Sequence, residues 1–305
     1  MKKSFLLRKM FQEPGAIIAP GAYDALSAKL VERAGFKAVH HSGYGTAASL
    51  LAKPDIGLVD FTEMCHQVKT MARSVSIPLI GDADTGYGNA INVFRTIQEY
   101  IWAGAAALFI EDQVWPKRCG HMAGKQVISK EEMKGKLNAA IKARDEVDPD
   151  FMLCYRTDAL AVNGLEDAIS RGKMAVDLGI DYVFIEAIET RKQMLRIVKD
   201  IKAPLMLNLI EGGKTPLISV KEAEEIGFKL IVFPLTTLYS AAKAMLEVLS
   251  ILKETGTSND YIDKLLDFRQ FAKIVNIKEI REMEEDYLPK KWIKEKYEGK
   301  DYIVK

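Results

Sequence analysis

The chain has 305 residues, room for one large α/β barrel or two ordinary domains, and 48% of them are hydrophobic, enough for a sizeable core. Its 43 Lys and Arg against 42 Asp and Glu leave a net charge of +1, which argues against a general nucleic-acid binder with its basic excess. Three irregularly spaced cysteines, Cys65, Cys119 and Cys154, fit a reducing cytoplasmic setting better than a disulfide framework, and no run approaches the ~20 apolar residues of a membrane span.

The opening MKKSFLLRKMFQEPG has charge but no long apolar run and reads as a short amphipathic helix, not a signal peptide. GAIIAPG near 15 is the first candidate strand, followed by a helix, AYDALSAKLVERAG, that ends at Gly35. Strands follow at KAVHHSG near 37 and IPLIGDAD near 77, then the helix NVFRTIQEYIWAG up to Gly104. ALFIED near 107 is the fourth strand. The helix SKEEMKGKLNAAIKARDEV opens with Ser129 and Glu132 at the spacing of a capping box. FMLCYRTD near 151 leads to GLEDAISRGKMAVDLG, which stops at Gly179. YVFIEA near 182, PLMLNL near 204 and KLIVFP near 229 complete eight strands. LYSAAKAMLEVLSILKETG is a long helix, and the tail from about 257 to 305 is charged and helical. The strands are nearly continuous in apolar residues, as expected of parallel strands covered on both sides. Eight strand–helix units predict an α/β fold, a (β/α)8 TIM barrel, as a single domain over 1–305 with a C-terminal helical extension over about 257–305. The rival is a doubly wound sheet: GYGTAAS imitates G-x-G-x-x-A, but no second strand carries the ribose-binding acid at the expected distance.

Polar residues gather at the strand ends. The second strand runs into Ser42, Gly43 and Tyr44, and the third ends in Asp82 and Asp84. Glu111 and Asp112 end the fourth, Arg156 and Asp158 the fifth, Glu186 the sixth, and Asn208 the seventh, with Glu211 beyond. In a barrel these positions converge on the face where active sites are built. Asp82, Asp84 and Glu111 are hard oxygen donors that suit Mg2+ or Mn2+, some of them through water; the alternative is that Asp82 or Asp84 caps the helix starting near Asn89. Arg156 suits a substrate carboxylate, or an ion pair with Asp158 or Glu186. His40 and His41 read as core or loop groups, and Cys154 as inert core. WPKRCGHMAGK, residues 115–125, sets Cys119 among Lys117, Arg118 and His121 in a glycine-flanked loop. Those neighbours predict a stabilised thiolate whose protonation changes near neutral pH. A nucleophile, a soft metal ligand and an acid–base group for carbon chemistry all remain open.

GDADTGYG, IEDQVWPKRCGHMAGK, YRTDA and NLIEGGKTPL, in this order from about residue 10 to 290, resemble the isocitrate lyase/phosphoenolpyruvate mutase superfamily. The resemblance implies a (β/α)8 barrel, Mg2+, enolate-type chemistry on 2-hydroxy or 2-oxo acids, and a helix-swapped homodimer commonly paired into a homotetramer. It implies that Ser42, Gly43 and Tyr44 hold a pyruvate-like carboxylate and that Asp82, Asp84 and Glu111 hold Mg2+ directly or through water. Arg156, Glu186 and Asn208 would line the substrate, and Lys117, Arg118, Cys119 and His121 would belong to a mobile gate. Cysteine in the gate marks the carbon–carbon lyases of this family. Tyr239 stands where members that cleave 2-methylisocitrate have an Arg for the extra carboxylate, so the tricarboxylate loses a partner and a dicarboxylate fits better. Pro234 replaces a Ser usual in the oxaloacetate hydrolases. The implied reaction is retro-Claisen cleavage of a 2-alkylmalate, 2,3-dimethylmalate first, to propionate and pyruvate, with Cys119 as the acid that protonates carbon. His40 departs from the Tyr frequent at its position in lyases, so His40, Tyr44 and a metal-bound hydroxide are all open as the base.

Overall fold

The structure, a computed structural model, describes residues 2–298, so the last residues of the predicted tail, 299–305, lie outside the described residues. It divides into two compact units, one up to Tyr239 and one from Ser240. In the first, eight strands close a barrel in sequence order: β1 (Ile17–Ala22), β2 (Val39–His41), β3 (Leu79–Asp82), β4 (Ala107–Glu111), β5 (Met152–Thr157), β6 (Tyr182–Ile185), β7 (Leu205–Asn208) and β8 (Leu230–Phe233). Every pairing is parallel, and β1 closes on β8. The (β/α)8 expectation therefore holds, and the doubly wound alternative falls, because a sheet whose last strand pairs with its first has no switch point for a dinucleotide.

Alternate residues of each strand point into or out of the barrel. Ile80, Phe109, Cys154, Phe184 and Val232 fill the interior. Leu79, Leu108, Leu153, Val183 and Ile231 pack outward among the surrounding helices. Both faces are covered, hence the unbroken apolar runs. The helix Lys3–Gln12 sends fully buried Leu7 into the interior cluster, and Phe11 lies 5.0 Å from the Tyr182 ring. Ser4 bonds Asp148 at 2.8 Å and Arg8 pairs with Asp181 at 2.8 Å, both in segments that lead into strands. The amphipathic N-terminus thus plugs the end of the barrel where strands begin, leaving the opposite mouth for chemistry.

Helix ends follow local chemistry. Asn89 caps Ala90–Ala103 by accepting from Ile91 and Asn92, and Gly104 ends it at φ +98, where glycine avoids the Cβ penalty. Asp82 and Asp84 are therefore not its caps. The second unit continues the helix Thr236–Thr255 and adds a 3-10 turn, Asn259–Lys264, and helices Phe268–Ile274, Ile277–Tyr287 and Lys290–Tyr297. Leu246, Phe268, Tyr287 and Trp292 of this unit are exposed on the single chain. Among the described residues no helix is long and apolar enough to cross a membrane.

Candidate active site

A cavity at the mouth of the barrel collects residues from seven strands, β2 to β8, or their ends, and from two loops, among them Ser42, Tyr44, Asp82, Cys119, Arg156, Glu186 and Asn208. At the end of β2 the chain turns directly into the helix Gly43–Leu51. Ser42 is its N-cap, and its hydroxyl accepts from the Gly45 N–H at 3.1 Å. The N–H groups of Gly43 and Tyr44 lie in a first turn that has no intrahelical acceptors, at the positive end of the helix dipole. That is a physical basis for carboxylate binding by Ser-Gly-Tyr. Gly43 is needed for proximity: a Cβ there would lie 2.4 Å from Asp82 Oδ2. His41 is a satisfied core group, with Nε2 2.9 Å from Thr46 Oγ1. His40 stacks on Phe109 with ring centroids 5.7 Å apart and lines the cavity. Burial, aided by His41 and Arg156, pulls His40 down to about 3, so the ring is neutral.

The parallel register puts Glu111 beside Arg156. The Arg156 guanidinium is shared among three carboxylates at 3.1 Å: Glu111, Asp158 and Glu186. The ion-pair reading of Arg156 is therefore correct, and the same fork also lines the cavity. Asn208 donates to both oxygens of Glu186 at 3.3 and 3.4 Å, while its own Oδ1 is buried with no partner among the described residues. Asp84 and Ala187 have φ of +46 and +58, left-handed backbone for non-glycine residues, beside acids of the site.

The loop after β4 is folded onto these groups, and it corrects the sequence expectation for Cys119. Lys117 turns inward and lies 2.6 Å from both Asp55 and Asp84. Burial alone would pull its ammonium down, but Asp84, Asp55, Asp82 and Glu111 outweigh it and raise it well above its ordinary value. Arg118 is exposed, with its backbone clamped by Gln113 at 2.8 and 2.9 Å. His121 accepts the Lys214 N–H on Nδ1 at 2.9 Å and turns Nε2 to Glu186 at 3.4 Å. None of the three side chains attends the sulfur. Burial instead pushes the Cys119 thiol up to about 11, and the His121 backbone N–H only partly offsets it. Cys119 is thus a thiol at neutral pH, not a stabilised thiolate. Gly120 lets the loop come this close, since a Cβ would lie 2.2 Å from Glu186 and 2.6 Å from Arg156.

Asp55 was not foreseen. It sits in the KPDIG turn, pairs with Lys117, accepts the Cys119 N–H on its carbonyl at 3.0 Å, and lines the cavity. Its only sequence signal is a turn composition.

The donors suit a divalent cation. Asp55, Asp82, Asp84, Glu111, Asp158 and Glu186 are all buried, against Lys117, Lys125 and Arg156 as buried cations. Burial, with Asp84, raises the Asp82 carboxyl to about 7, and burial raises Asp84 and Glu111 as well. Neither oxygen of Glu111 receives a hydrogen bond among the described residues. An excess of unsatisfied, desolvated carboxylate is the environment a hard cation relieves. Among the described residues no three His, Cys, Asp or Glu side chains are placed to share one ion. One or two acids with water and substrate oxygens, the habit of Mg2+, fit better than a direct triad.

Residues 7–253 match the family model described as phosphoenolpyruvate phosphomutase. The chain is 41% identical over 287 residues to 2,3-dimethylmalate lyase of Eubacterium barkeri, covering 94% of this chain and 99% of the relative. It is 45% identical over 284 residues to the chloroplastic carboxyvinyl-carboxyphosphonate phosphorylmutase of Arabidopsis thaliana (92% and 83% covered). A crystal structure of 2,3-dimethylmalate lyase superposes with a TM-score of 0.91 at 36% identity, covering 99% of both chains. A phosphonopyruvate hydrolase complex with oxalate and Mg2+ superposes at 0.86 with 30% identity, covering 95% of this chain and 100% of the other.

Proposed function

The chain belongs to the phosphoenolpyruvate mutase/isocitrate lyase superfamily, and from that premise we propose that it is a Mg2+-dependent carbon–carbon lyase that cleaves a 2-alkylmalate, with 2,3-dimethylmalate giving propionate and pyruvate as the preferred reaction. One observation carries the reading: a protonated thiol, Cys119, shares a cavity with one carboxylate-binding cation, Arg156, and with an apolar wall of Met206, Ile210, Pro234 and Leu235. A tricarboxylate would bring a third charge to a wall with no cation among the described lining residues, and an unpaired buried charge is costly. Methyl groups suit that wall.

In this mechanism the first turn at Ser42, Gly43 and Tyr44 and the fork of Arg156 hold the 2-hydroxy-carboxylate end. His40, neutral and far below its usual range, is a poor base, and we assign the relay of the hydroxyl proton to half-buried Tyr44, which faces the same cavity and takes that proton as its own phenolic proton passes to solvent. The C2–C3 bond breaks, C2 becomes the carbonyl of pyruvate, and the bonding pair goes to C3. Cys119 then gives its proton to C3, so the raised thiol is stocked with the proton the step needs. Asp82, Asp84 and Glu111 would hold Mg2+, one or two of them directly and the rest through water, and the ion when bound would neutralise charge on the substrate oxygens. The Lys117–Asp55 pair and Gly120 keep the loop over the reacting carbon and exclude water. A cytoplasmic setting and association through the exposed apolar residues of the helical unit, as a helix-swapped dimer or a tetramer, belong to the same proposal.

Incubation with 2,3-dimethylmalate and Mg2+ should release pyruvate and propionate in equal amounts, and EDTA should stop it. Turnover unaffected by EDTA, with a covalent adduct on Cys119, would replace the lyase with a thiol hydrolase.

A further inference from the structure

Lys125 and Asp158 take no part in that chemistry, yet they are among the most completely buried charges of the unit, with side chains 2% and 0% exposed. Lys125 Nζ lies 2.8 Å from Asp158 Oδ1 and also donates to the Gly120 carbonyl, next to Cys119. Asp158 Oδ2 is 3.1 Å from Arg156 Nε. One ammonium therefore ties the tip of the loop to the partner of the substrate-binding arginine. The two ends of this tie differ in freedom. The Asp158 N–H donates to Asp112 Oδ1 at 3.0 Å, and Asp112 Oδ2 accepts from Tyr155 at 2.6 Å, Thr157 at 2.7 Å and Arg171 at 3.1 Å. Arg171 also donates to the Ile128 carbonyl at 2.9 Å, where the loop rejoins the barrel. Asp158 is thus fixed by a satisfied buried network, whereas Lys125 is carried on the irregular loop between β4 and the helix Lys130–Val147.

We propose that Lys125 is a positioning residue, a latch that couples closure of the Cys119 loop to the readiness of Arg156. Seated, it neutralises the Asp158 carboxylate, which Arg156 meets through Nε on Oδ2 at 3.1 Å and only distantly, through Nη2 at 3.5 Å, on the Oδ1 that Lys125 holds. Lifted, it leaves Asp158 to Arg156 alone, and the carboxylate draws the guanidinium away from substrate. The other ties of the loop differ: Lys117 engages Asp84 of the cation site, whereas neither Lys125 nor Asp158 lines the cavity.

The test is alkylation of the full-length protein with iodoacetamide near pH 8 in Mg2+, each cysteine followed by peptide mass mapping and half-buried Cys65 serving as internal clock. In Lys125→Met, Cys119 should react at least about tenfold faster, because a released thiol regains solvent and a more ordinary pKa, while Cys65 keeps its rate. Lys125→Arg should restore most of the protection. If Lys125→Met does not fold, Lys125→Met/Asp158→Asn, which leaves no unpaired buried charge, should show the same selective release. Unchanged Cys119 reactivity in a folded variant, or equal acceleration of Cys65, overturns the latch. This readout does not depend on the lyase reading: a wild-type protein inert on every malate, with Cys119 still guarded by Lys125, would fail the function and keep the latch.

Discussion

The two sides of the barrel mouth obey different rules. From β3 to β5 the polar side chains are charged, buried and mutually paired: Asp82, Asp84, Glu111 and Arg156 interact within one another's fields, and Lys117 closes over them. From β7 to β8, apart from Asn208, which is turned to Glu186, they are apolar: Met206, Ile210, Pro234 and Leu235, with Tyr239 42% exposed beyond. The charged side can bind a carboxylate and a cation and stabilise an enolate whatever hangs from C3. In the proposed reaction the apolar side would meet what hangs there. A shared reaction and a varied substrate can thus be housed in one barrel, because the parts that break the bond and the parts that choose the molecule come from different strands.

That division orders the expected effects of substitution. Asp84→Ala should reduce Mg2+-dependent turnover by about 1,000-fold, the upper range for losing one preorganised electrostatic group, and flatten Mg2+ binding in calorimetry. Unchanged metal dependence would remove Asp84 from the cation site. Cys119→Ser should lose at least ~100-fold in kcat yet bind pyruvate and Mg2+ almost as wild type, the scale of a missing general acid. Near-wild-type turnover would leave the thiol without its role. On the apolar side, Tyr239→Arg should change choice and not chemistry, moving the kcat/KM ratio of 2-methylisocitrate to 2,3-dimethylmalate upward by about tenfold, as a newly paired carboxylate would. A fall in both rates together would erase the distinction between the two sides.

The smallest effect is a pH signature of the charged side. In the metal-free protein, burial and Asp84 raise Asp82 to about 7, well above its unfolded value. The folded state then binds the extra proton, so the stability this group adds is complete below about pH 4 and is lost as pH rises through about 7. Mg2+ should therefore raise Tm more near pH 8 than near pH 5.5. An equal rise at both would show that Asp82 does not face the cation.

Much of this was readable in the chain, and the rest fails for a definable reason. Strands such as ALFIED and YVFIEA are unbroken because both faces are covered, and their last residues mark the mouth in any parallel barrel. The sequence misleads at Cys119, because its neighbours along the chain are not the neighbours of its sulfur in space. The fold sends Lys117 inward to Asp55 and Asp84, leaves Arg118 exposed and turns His121 to Glu186, so burial dominates at the sulfur. Asp55 was invisible because a lone acid in a Pro-Asp-Ile-Gly turn has no periodic signal. Lys125 and Asp158 meet only once the barrel has closed.

The most direct test of the central claim is pyruvate release, coupled to lactate dehydrogenase, from 2,3-dimethylmalate and 2-methylisocitrate in parallel with Mg2+, alongside loss of oxaloacetate followed by its own absorbance. The account predicts fast cleavage of 2,3-dimethylmalate and at most slow use of the other two. Preference for 2-methylisocitrate would contradict the apolar wall as the selector, and silence on both malates would contradict the lyase itself.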